Sequence, residues 1–296
     1  MPFPSFAGAH TALITPFRED GSLDEAALTH LVESQVTAGI SGVIPVGTTG
    51  ESPTLSHEEH AKVIKITVKA VAKRILVIAG TGSNATTEAV ELTKEAEKLG
   101  ADASLQVAPY YNKPSAEGLY RHFKKVAEAV SIPIVLYSIP GRCGIEIPVS
   151  VVARLYADCP NVVAIKEAGG SVERVNQLKA ALPESFQILS GDDSLTLPFM
   201  ASGAVGVISV ASNIIPAEVE VLVRSFLKGD LTKARELHAR YYPLFRDLFL
   251  EPNPVPIKTA LAAKGVCGND VRLPLCEMKD SNKEILLKTL RNTGVL

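Results

Sequence analysis

The chain has 296 residues, of which 46% are hydrophobic, and its formal net charge is −2. This length suits either one large α/β barrel or two ordinary domains. Acidic and basic residues are mixed along the chain without a long basic run, which argues against nucleic acid or an anionic membrane as a partner.

Short apolar runs recur along the first three quarters of the chain and predict eight strands. Continuous apolar runs are typical of strands buried on both faces, as in parallel sheets. The runs lie at 10–15, 41–46, 75–80, 103–108, 132–137, 162–166, 186–190 and 206–210.

Helix-like segments separate these runs. Ser22-Leu23-Asp24-Glu25 and Ser56-His57-Glu58-Glu59 both match the capping-box pattern ahead of periodic apolar residues. The spacing of roughly 20 to 35 residues between successive strands is that of a βα unit. Eight such units predict a (β/α)8 TIM barrel. The alternative is an open doubly wound sheet, which the lack of G-x-G-x-x-G after the first strand disfavours.

The pattern changes after about Asp230. The stretch LTKARELHARYYPLFRDLFL predicts an amphipathic helix, and EPNPVPIK is a proline-rich break. Two short helices are expected to follow, the last opening with Ser281-Asn282-Lys283-Glu284. We therefore predict two domains, a catalytic barrel at 1–229 and a C-terminal helical domain at 230–296.

The amino-terminal stretch and the cysteines favour a cytoplasmic protein. MPFPSFAGAH lacks the features of a secretion signal, and no apolar run approaches the ~20 residues that span a bilayer. The four cysteines form no C-x-x-C pair and no zinc-finger spacing, which favours free thiols.

Lys166 ends the sixth apolar run and is followed by Glu167. A lysine just past a strand usually lies on the surface. Burial, however, lowers the pKa of an amine and frees its lone pair, so Lys166 is a candidate Schiff-base nucleophile. No firm role for Glu167 follows from the sequence.

Other polar residues follow the remaining strands, where barrel enzymes hold their active sites. GTTGES, residues 47–52, lacks the Gly-Lys-Ser/Thr ending of a phosphate loop and fits either a small-carboxylate site or a capped turn. Tyr137 ends the fifth strand and is a candidate for proton transfer to Lys166. Arg142 follows in a Pro-Gly turn, where it could bind a carboxylate or form a surface salt bridge.

A metal site and a serine hydrolase site are both disfavoured. HEEH, residues 57–60, matches neither H-E-x-x-H nor H-x-x-E-H, and no third ligand is suitably spaced. The chain has no G-x-S-x-G. The residues therefore favour amine catalysis without metal or organic cofactor.

These motifs, in this order, resemble the dihydrodipicolinate synthase family of pyruvate-dependent class I aldolases. The resemblance covers essentially the whole chain and rests on GTTGES, AGTGSNAT, PYYNKPS, IKEA, LSGDD, GVISV and EPNPVPIK. It implies condensation of pyruvate with L-aspartate 4-semialdehyde in diaminopimelate and L-lysine synthesis, by a homotetramer built as a dimer of dimers. The alternatives are a sister aldolase acting on a sialic or 2-keto-3-deoxy sugar acid, and a non-catalytic sensor or structural barrel.

The resemblance also implies roles for individual residues. Lys166 would form the imine with pyruvate, so no separate cofactor is implied. The proton relay would consist of Thr49, Tyr137 and Tyr111, the last from a neighbouring subunit. The substrate would contact Thr48 and Thr49 at the pyruvate carboxylate, Arg142 at the semialdehyde carboxylate, the backbone carbonyl of Ile208, and a loop holding Gly191 and Asp192. The stretch SIPGRC, residues 138–143, departs from the family's usual Asn-Val-Pro-Ser-Arg-Thr around that arginine.

Feedback inhibition by L-lysine at a dimer-interface pocket is a further implication of the resemblance. A solvated helix face is the alternative for HEEH. The matching positions are Ser52, Pro53, His57, His60, Asn84, Glu88 and Tyr110, with proline at 53 where alanine is common.

Overall fold

Eight parallel strands close into a barrel in sequence order in the computed structural model, which describes residues 3–296. The first strand pairs with both the second and the eighth, which closes the sheet. Each predicted apolar run contains most of one strand, so the (β/α)8 barrel is confirmed. The strands are β1 Gly8–Ala12, β2 Gly42–Ile44, β3 Leu76–Gly80, β4 Ala103–Val107, β5 Ile134–Ser138, β6 Val162–Glu167, β7 Gln187–Ser190 and β8 Gly206–Ser209.

Helices surround the barrel, and three more follow the last βα unit. Short 3₁₀ turns lie at Ser52–Thr54, Asp193–Leu195 and Ala211–Asn213. The barrel helices are α1 Glu25–Thr37, α2 His57–Val71, α3 Thr86–Lys98, α4 Ala116–Ala127, α5 Pro140–Cys143, α6 Val149–Asp158, α7 Val172–Ala181, α8 Thr196–Ala201 and α9 Pro216–Leu227. The C-terminal helices are α10 Leu231–Asp247, α11 Val255–Ala263 and α12 Asp280–Asn292.

One of the three predicted capping boxes is confirmed and two are wrong. The box opening α2 is confirmed, because Ser56 Oγ accepts from Glu59 N at 3.1 Å and Glu59 Oε2 accepts from Ser56 N at 2.9 Å. The box at Ser22 is wrong, since Asp24 caps α1 by accepting from Ala27 N at 3.0 Å. The box at 281–284 is also wrong, because α12 begins at Asp280, so that Ser281 lies inside the helix, and the helix has no side-chain cap.

Side chains alternate between two cores along each strand. On β5 and β6, Tyr137 and Ala164 belong to the core inside the barrel, whereas Leu136 and Ile165 belong to the core between strands and helices. This period of two follows from strand geometry. It sends Lys166 into the barrel and Glu167 outward to the helices.

The C-terminal helices pack on the barrel and on one another, with α10 against α9 and α12, and α11 against α12. The predicted boundary at 229/230 falls in the short turn between α9 and α10. The division into two domains stays a prediction. In residues 3–296, no helix combines the length and apolar character needed to cross a membrane.

A buried ion pair fastens the C-terminal segment to the loop after β2. Lys258 Nζ lies 2.5 Å from Glu51 Oε1, and both side chains are almost completely buried. The same ammonium donates to the backbone oxygen of Asp270 at 2.7 Å. Arg272 donates to Glu59 at 2.6 and 2.8 Å, which anchors the segment after α11 to α2. The C-terminal segment therefore holds the GTTGES loop through Glu51 and the start of α2 through Glu59.

Candidate active site

Lys166 lies at the C-terminal end of β6 with 6% of its side chain exposed. Tyr137 is its register partner on β5, and Lys166 Nζ stands 4.3 Å from the centre of the Tyr137 ring. Burial removes water from the ammonium and lowers the lysine pKa to about 7, an effect that the Asp193 carboxylate partly opposes. A large fraction of this amine is therefore neutral and nucleophilic at physiological pH.

Gly191, a predicted site residue, makes room for the lysine. A Cβ at this position would lie 2.6 Å from Ala168 Cβ and 3.0 Å from Lys166 Cε. The Gly191 N–H also donates to the backbone oxygen of Glu167 at 2.8 Å. Glycine lets the loop after β7 close directly against the reactive amine.

Tyr137 is a buried phenol. Burial raises its pKa to about 12, and a hydrogen bond with the Thr48 side chain lowers it in part. The phenol is therefore protonated at neutral pH and can donate. Thr48 is thus the threonine that contacts Tyr137. The resemblance implies Thr49 in the relay and both threonines at the pyruvate carboxylate, and these assignments stay predictions.

Thr49 instead faces the C-terminal segment. It is 3% exposed, and its Oγ1 accepts a hydrogen bond from Asn253 Nδ2 at 2.9 Å. The backbone oxygen of Asn253 accepts from Arg142 Nη2 at 3.2 Å. The sequence reasoning missed Asn253, although it lies in the motif EPNPVPIK, because nothing local indicates that this break reaches the barrel mouth.

The remaining predicted residues differ in how deeply they are buried. Ile208 on β8 is buried in the barrel interior with Tyr137. Arg142 is exposed at the mouth on the single-turn helix α5. Tyr111 has a left-handed backbone, φ 72°, and is 90% exposed, so within this chain it is not part of the buried surroundings of Lys166.

Asp193 is a second residue that the sequence reasoning missed. It is 3% exposed, and its carboxylate accepts from Ser209 Oγ, from Val210 N and from Ala211 N. Burial raises the pKa of this carboxyl, and the hydrogen bonds oppose that rise. Asp192, the acid named from the sequence, caps the adjoining turn by accepting from Ser194 N at 2.8 Å. The two aspartates of LSGDD indicate a loop at the end of β7, but the sequence does not show which of them is buried.

Glu167, left without a role by the sequence, points away from the reactive amine. Its side chain is fully buried, where Oε2 accepts from Arg174 Nε at 3.2 Å and Oε1 accepts from Gly169 N at 2.8 Å. Arg174 also donates to the backbone oxygen of Ile147. Glu167 therefore ties the end of β6 to α7 and to the segment before α6, which fixes the strand that carries Lys166.

A cavity of about 480 Å³ is lined by three predicted catalytic or substrate-binding residues and by most of the predicted lysine-binding residues, whereas Lys166 is not among its lining residues. Thr48, Tyr137 and Arg142 line it on one side. On the other side it is lined by six of the seven predicted lysine positions: Ser52, Pro53, His57, His60, Glu88 and Tyr110.

Polar contacts organise the second side of this cavity. His57 Nε2 lies 2.9 Å from Glu88 Oε1, and Ser83 Oγ donates to the same carboxylate. Asn84, the seventh position, does not line the cavity, and its side-chain amide donates to the backbone oxygen of Tyr110 at 3.2 Å. His60 is buried against the Gly80 carbonyl, and burial lowers its pKa. The wall therefore offers the Glu88 carboxylate, with the His57 ring and the Ser83 hydroxyl hydrogen-bonded to it.

Residues 3–296 contain no group of three or more histidine, cysteine, aspartate and glutamate side chains arranged to bind a metal. All four cysteines are free, and burial raises the pKa of the Cys143 thiol at the cavity wall to about 11. A thiol with that pKa is a poor nucleophile at neutral pH. Lys166 is thus the stronger nucleophile at this mouth.

Known proteins resemble the chain over nearly its full length. A relative named 4-hydroxy-tetrahydrodipicolinate synthase, from Aquifex aeolicus, is 52% identical over 97% of both chains. A solved structure of the enzyme of that name from Methylacidiphilum fumariolicum is 56% identical, covers 98% of this chain and 96% of its own, and superposes with a TM-score of 0.97.

Two further solved structures contain small molecules. A chloride-inhibited dihydrodipicolinate synthase from Acinetobacter baumannii, complexed with pyruvate, is 43% identical and covers 99% of this chain and all of its own, with a TM-score of 0.96. The enzyme from Cyanidioschyzon merolae, with lysine bound, is 41% identical, covers 98% and 99%, and has a TM-score of 0.95. The profile of the dihydrodipicolinate synthetase family matches residues 5–293. The chain belongs to the dihydrodipicolinate synthetase family.

Proposed function

We propose that this protein is a 4-hydroxy-tetrahydrodipicolinate synthase that condenses pyruvate with L-aspartate 4-semialdehyde. Family membership and the relatives of that name support the activity. The pyruvate complex of the Acinetobacter baumannii enzyme supports the keto acid. The observation that carries the proposal is Lys166, a buried amine with a pKa of about 7 at a barrel strand end.

The reaction begins when the neutral Lys166 amine attacks the keto carbon of pyruvate, and loss of water gives an imine. Protonated imine nitrogen withdraws electrons, so a methyl proton leaves and an enamine forms without metal. The enamine carbon attacks the aldehyde, whose oxygen takes up a proton. The amine of the aldehyde substrate then attacks the imine carbon, closes the ring and releases Lys166. No organic cofactor takes part in these steps.

Tyr137 and Thr48 move the protons. A phenol with a pKa of about 12 is rarely ionised at neutral pH, so it must pass protons through hydrogen-bonded neighbours. Thr48 takes the relay position, because its hydroxyl lies at Tyr137. Tyr111 of a neighbouring subunit completes the chain, a role supported by its 90% exposure in the single chain.

The two substrate carboxylates bind at two subsites that both adjoin Asn253, one at Thr49 and the other at Arg142. The keto-acid carboxylate binds at the loop holding Thr49, the position that the resemblance implies. The carboxylate of the semialdehyde binds Arg142, whose guanidinium is steadied by the Asn253 carbonyl. The Ile208 carbonyl and the Gly191 loop line the space between.

We propose further that the protein assembles in the cytoplasm as a homotetramer made of two dimers. L-lysine inhibits this enzyme by binding at the side of the cavity that holds Glu88 and His57. The Glu88 carboxylate would bind an ammonium of the inhibitor. The lysine-bound Cyanidioschyzon merolae enzyme supports this choice of ligand. Initial rates should fall in millimolar L-lysine, and a Glu88→Gln variant should respond less. Unchanged rates in the wild-type protein would rule the inhibition out.

A substrate comparison tests the activity. Pyruvate is offered with either L-aspartate 4-semialdehyde or N-acetylmannosamine, and pyruvate consumption is followed. We expect pyruvate to be consumed with the semialdehyde but not with the sugar. A Lys166→Arg variant is the matched control and should be inactive with both. Preferential turnover of the sugar would identify a sister aldolase, and turnover of neither would point to a non-catalytic barrel.

A further inference from the structure

We propose that Asn253 is a positioning residue that turns the Thr49 hydroxyl into a hydrogen-bond donor for the carboxylate of the bound keto acid. The inference rests on the proposed function and specifies one of its binding subsites. It gives the C-terminal segment a part in substrate recognition, since Asn253 lies between α10 and α11.

The contact between Asn253 and Thr49 is buried. The two residues are 6% and 3% exposed, and Asn253 Nδ2 lies 2.9 Å from Thr49 Oγ1. Within residues 3–296 the other polar atom of this side chain, Oδ1, has no hydrogen-bond partner. The bond to Thr49 is therefore what fixes the amide. A bond shielded from water is costly to break, because neither partner regains a water molecule easily.

Donor and acceptor counting sets the direction of the Thr49 proton. A threonine hydroxyl has one proton to donate and two lone pairs, whereas an amide nitrogen can only donate. Asn253 Nδ2 thus occupies a lone pair of Thr49 and leaves its proton free for another acceptor. An ionised carboxylate is acceptor-only. The Thr49 hydroxyl is therefore already oriented to donate to a carboxylate, so binding does not have to restrict its rotation at an entropy cost.

The side chain and the main chain of Asn253 serve different subsites. Its amide contacts Thr49, while its backbone oxygen accepts from Arg142 at 3.2 Å. A side-chain substitution therefore changes the keto-acid subsite and leaves the Arg142 contact in place. A residue of merely structural importance would affect both subsites together.

Two substitutions separate these possibilities. Asn253→Ala removes the donor. Asn253→Asp keeps the shape but, when ionised, accepts the Thr49 proton and places a negative charge beside the keto-acid carboxylate. Asn292→Asp makes the same chemical change on an exposed residue at the end of α12 and is the matched control.

The experiment measures the pyruvate concentration that gives half-maximal borohydride trapping, relative to wild type at each pH. We expect an increase of about fivefold for Asn253→Ala and on the order of 30-fold for Asn253→Asp at pH 8. The Asn253→Asp ratio should fall towards the wild-type value as the pH is lowered, because a protonated carboxyl can donate to Thr49 again. The KM for the semialdehyde and the Asn292→Asp control should stay at wild-type values.

Wild-type half-saturation in both Asn253 variants would overturn the inference. A parallel rise in both substrate KM values, or a pH-independent Asn253→Asp ratio, would overturn it as well. If Asn253→Asp does not fold, as judged by circular dichroism, the two KM values of Asn253→Ala decide. If wild-type protein itself forms no adduct with pyruvate, the proposed function fails first and the inference falls with it.

Discussion

Lys166 Nζ stands 4.3 Å from the centre of the Tyr137 ring, and the two residues are register partners on adjacent barrel strands. The same buried surroundings lower the lysine pKa to about 7 and raise the tyrosine pKa to about 12. Burial disfavours the charged form of each group, so a neutral amine lies beside a neutral phenol. Imine chemistry needs such a pair, one as nucleophile and the other as proton donor.

The first prediction concerns pH. Because the Lys166 pKa is lowered to about 7, the neutral amine predominates above that pH and the ammonium below it. The rate of pyruvate trapping by cyanoborohydride should rise as the pH increases through about 7 and then level off. A rate that keeps rising towards pH 10, where an ordinary lysine titrates, would contradict the lowered pKa.

The second prediction separates the two threonines. Thr48 lies at the Tyr137 hydroxyl, so Thr48→Val should lower kcat by roughly 10²-fold with little change in the pyruvate KM. Thr49 contacts Asn253, so Thr49→Val should mainly raise the pyruvate KM. Steady-state kinetics of the two isosteric variants measure the split. The reverse pattern would restore the relay role that the sequence assigned to Thr49.

Glycine at 191 is the subject of the third prediction. A Cβ there would clash with Ala168 and crowd Lys166 Cε, and a displacement of the amine by about 1 Å can cost roughly 10²-fold in rate. Gly191→Ala should therefore lose most of its kcat while keeping its circular dichroism spectrum. Gly141→Ala, which adds a methyl group in open space, is the control. Wild-type kcat in Gly191→Ala would show that the close approach is dispensable.

The fourth prediction concerns the buried ion pair between Lys258 and Glu51. Removing one partner leaves an uncompensated buried charge, so Lys258→Met should lower the free energy of unfolding by about 3–5 kcal/mol. Urea unfolding measures this loss, and adding Glu51→Gln to the variant should recover part of it. Lys98→Met breaks an exposed pair and should cost under about 1 kcal/mol. An equal loss in the free energy of unfolding for Lys258→Met and Lys98→Met would mean that burying the ion pair does not increase the cost of breaking it.

The sequence predicted the barrel and Lys166 because both depend on local patterns. Buried parallel strands read as apolar runs, and a lysine closing such a run is visible without a structure. Asn253 and Asp193 were missed because their partners lie far along the chain or on another strand, and no local rule encodes those contacts. The contacts of Thr48 with Tyr137 and of Thr49 with Asn253 also depend on residues distant in sequence, so the local pattern GTTGES did not distinguish the two threonines. Tyr111 is exposed in the single chain, and its contribution from a neighbouring subunit stays a prediction.

Borohydride reduction in the presence of pyruvate, followed by peptide mass mapping, tests the central claim most directly. We predict a single reduced pyruvyl adduct on the peptide carrying Lys166, its loss in Lys166→Arg, and inactivation in proportion to labelling. Full turnover of pyruvate and L-aspartate 4-semialdehyde with no adduct on Lys166 would contradict the imine mechanism.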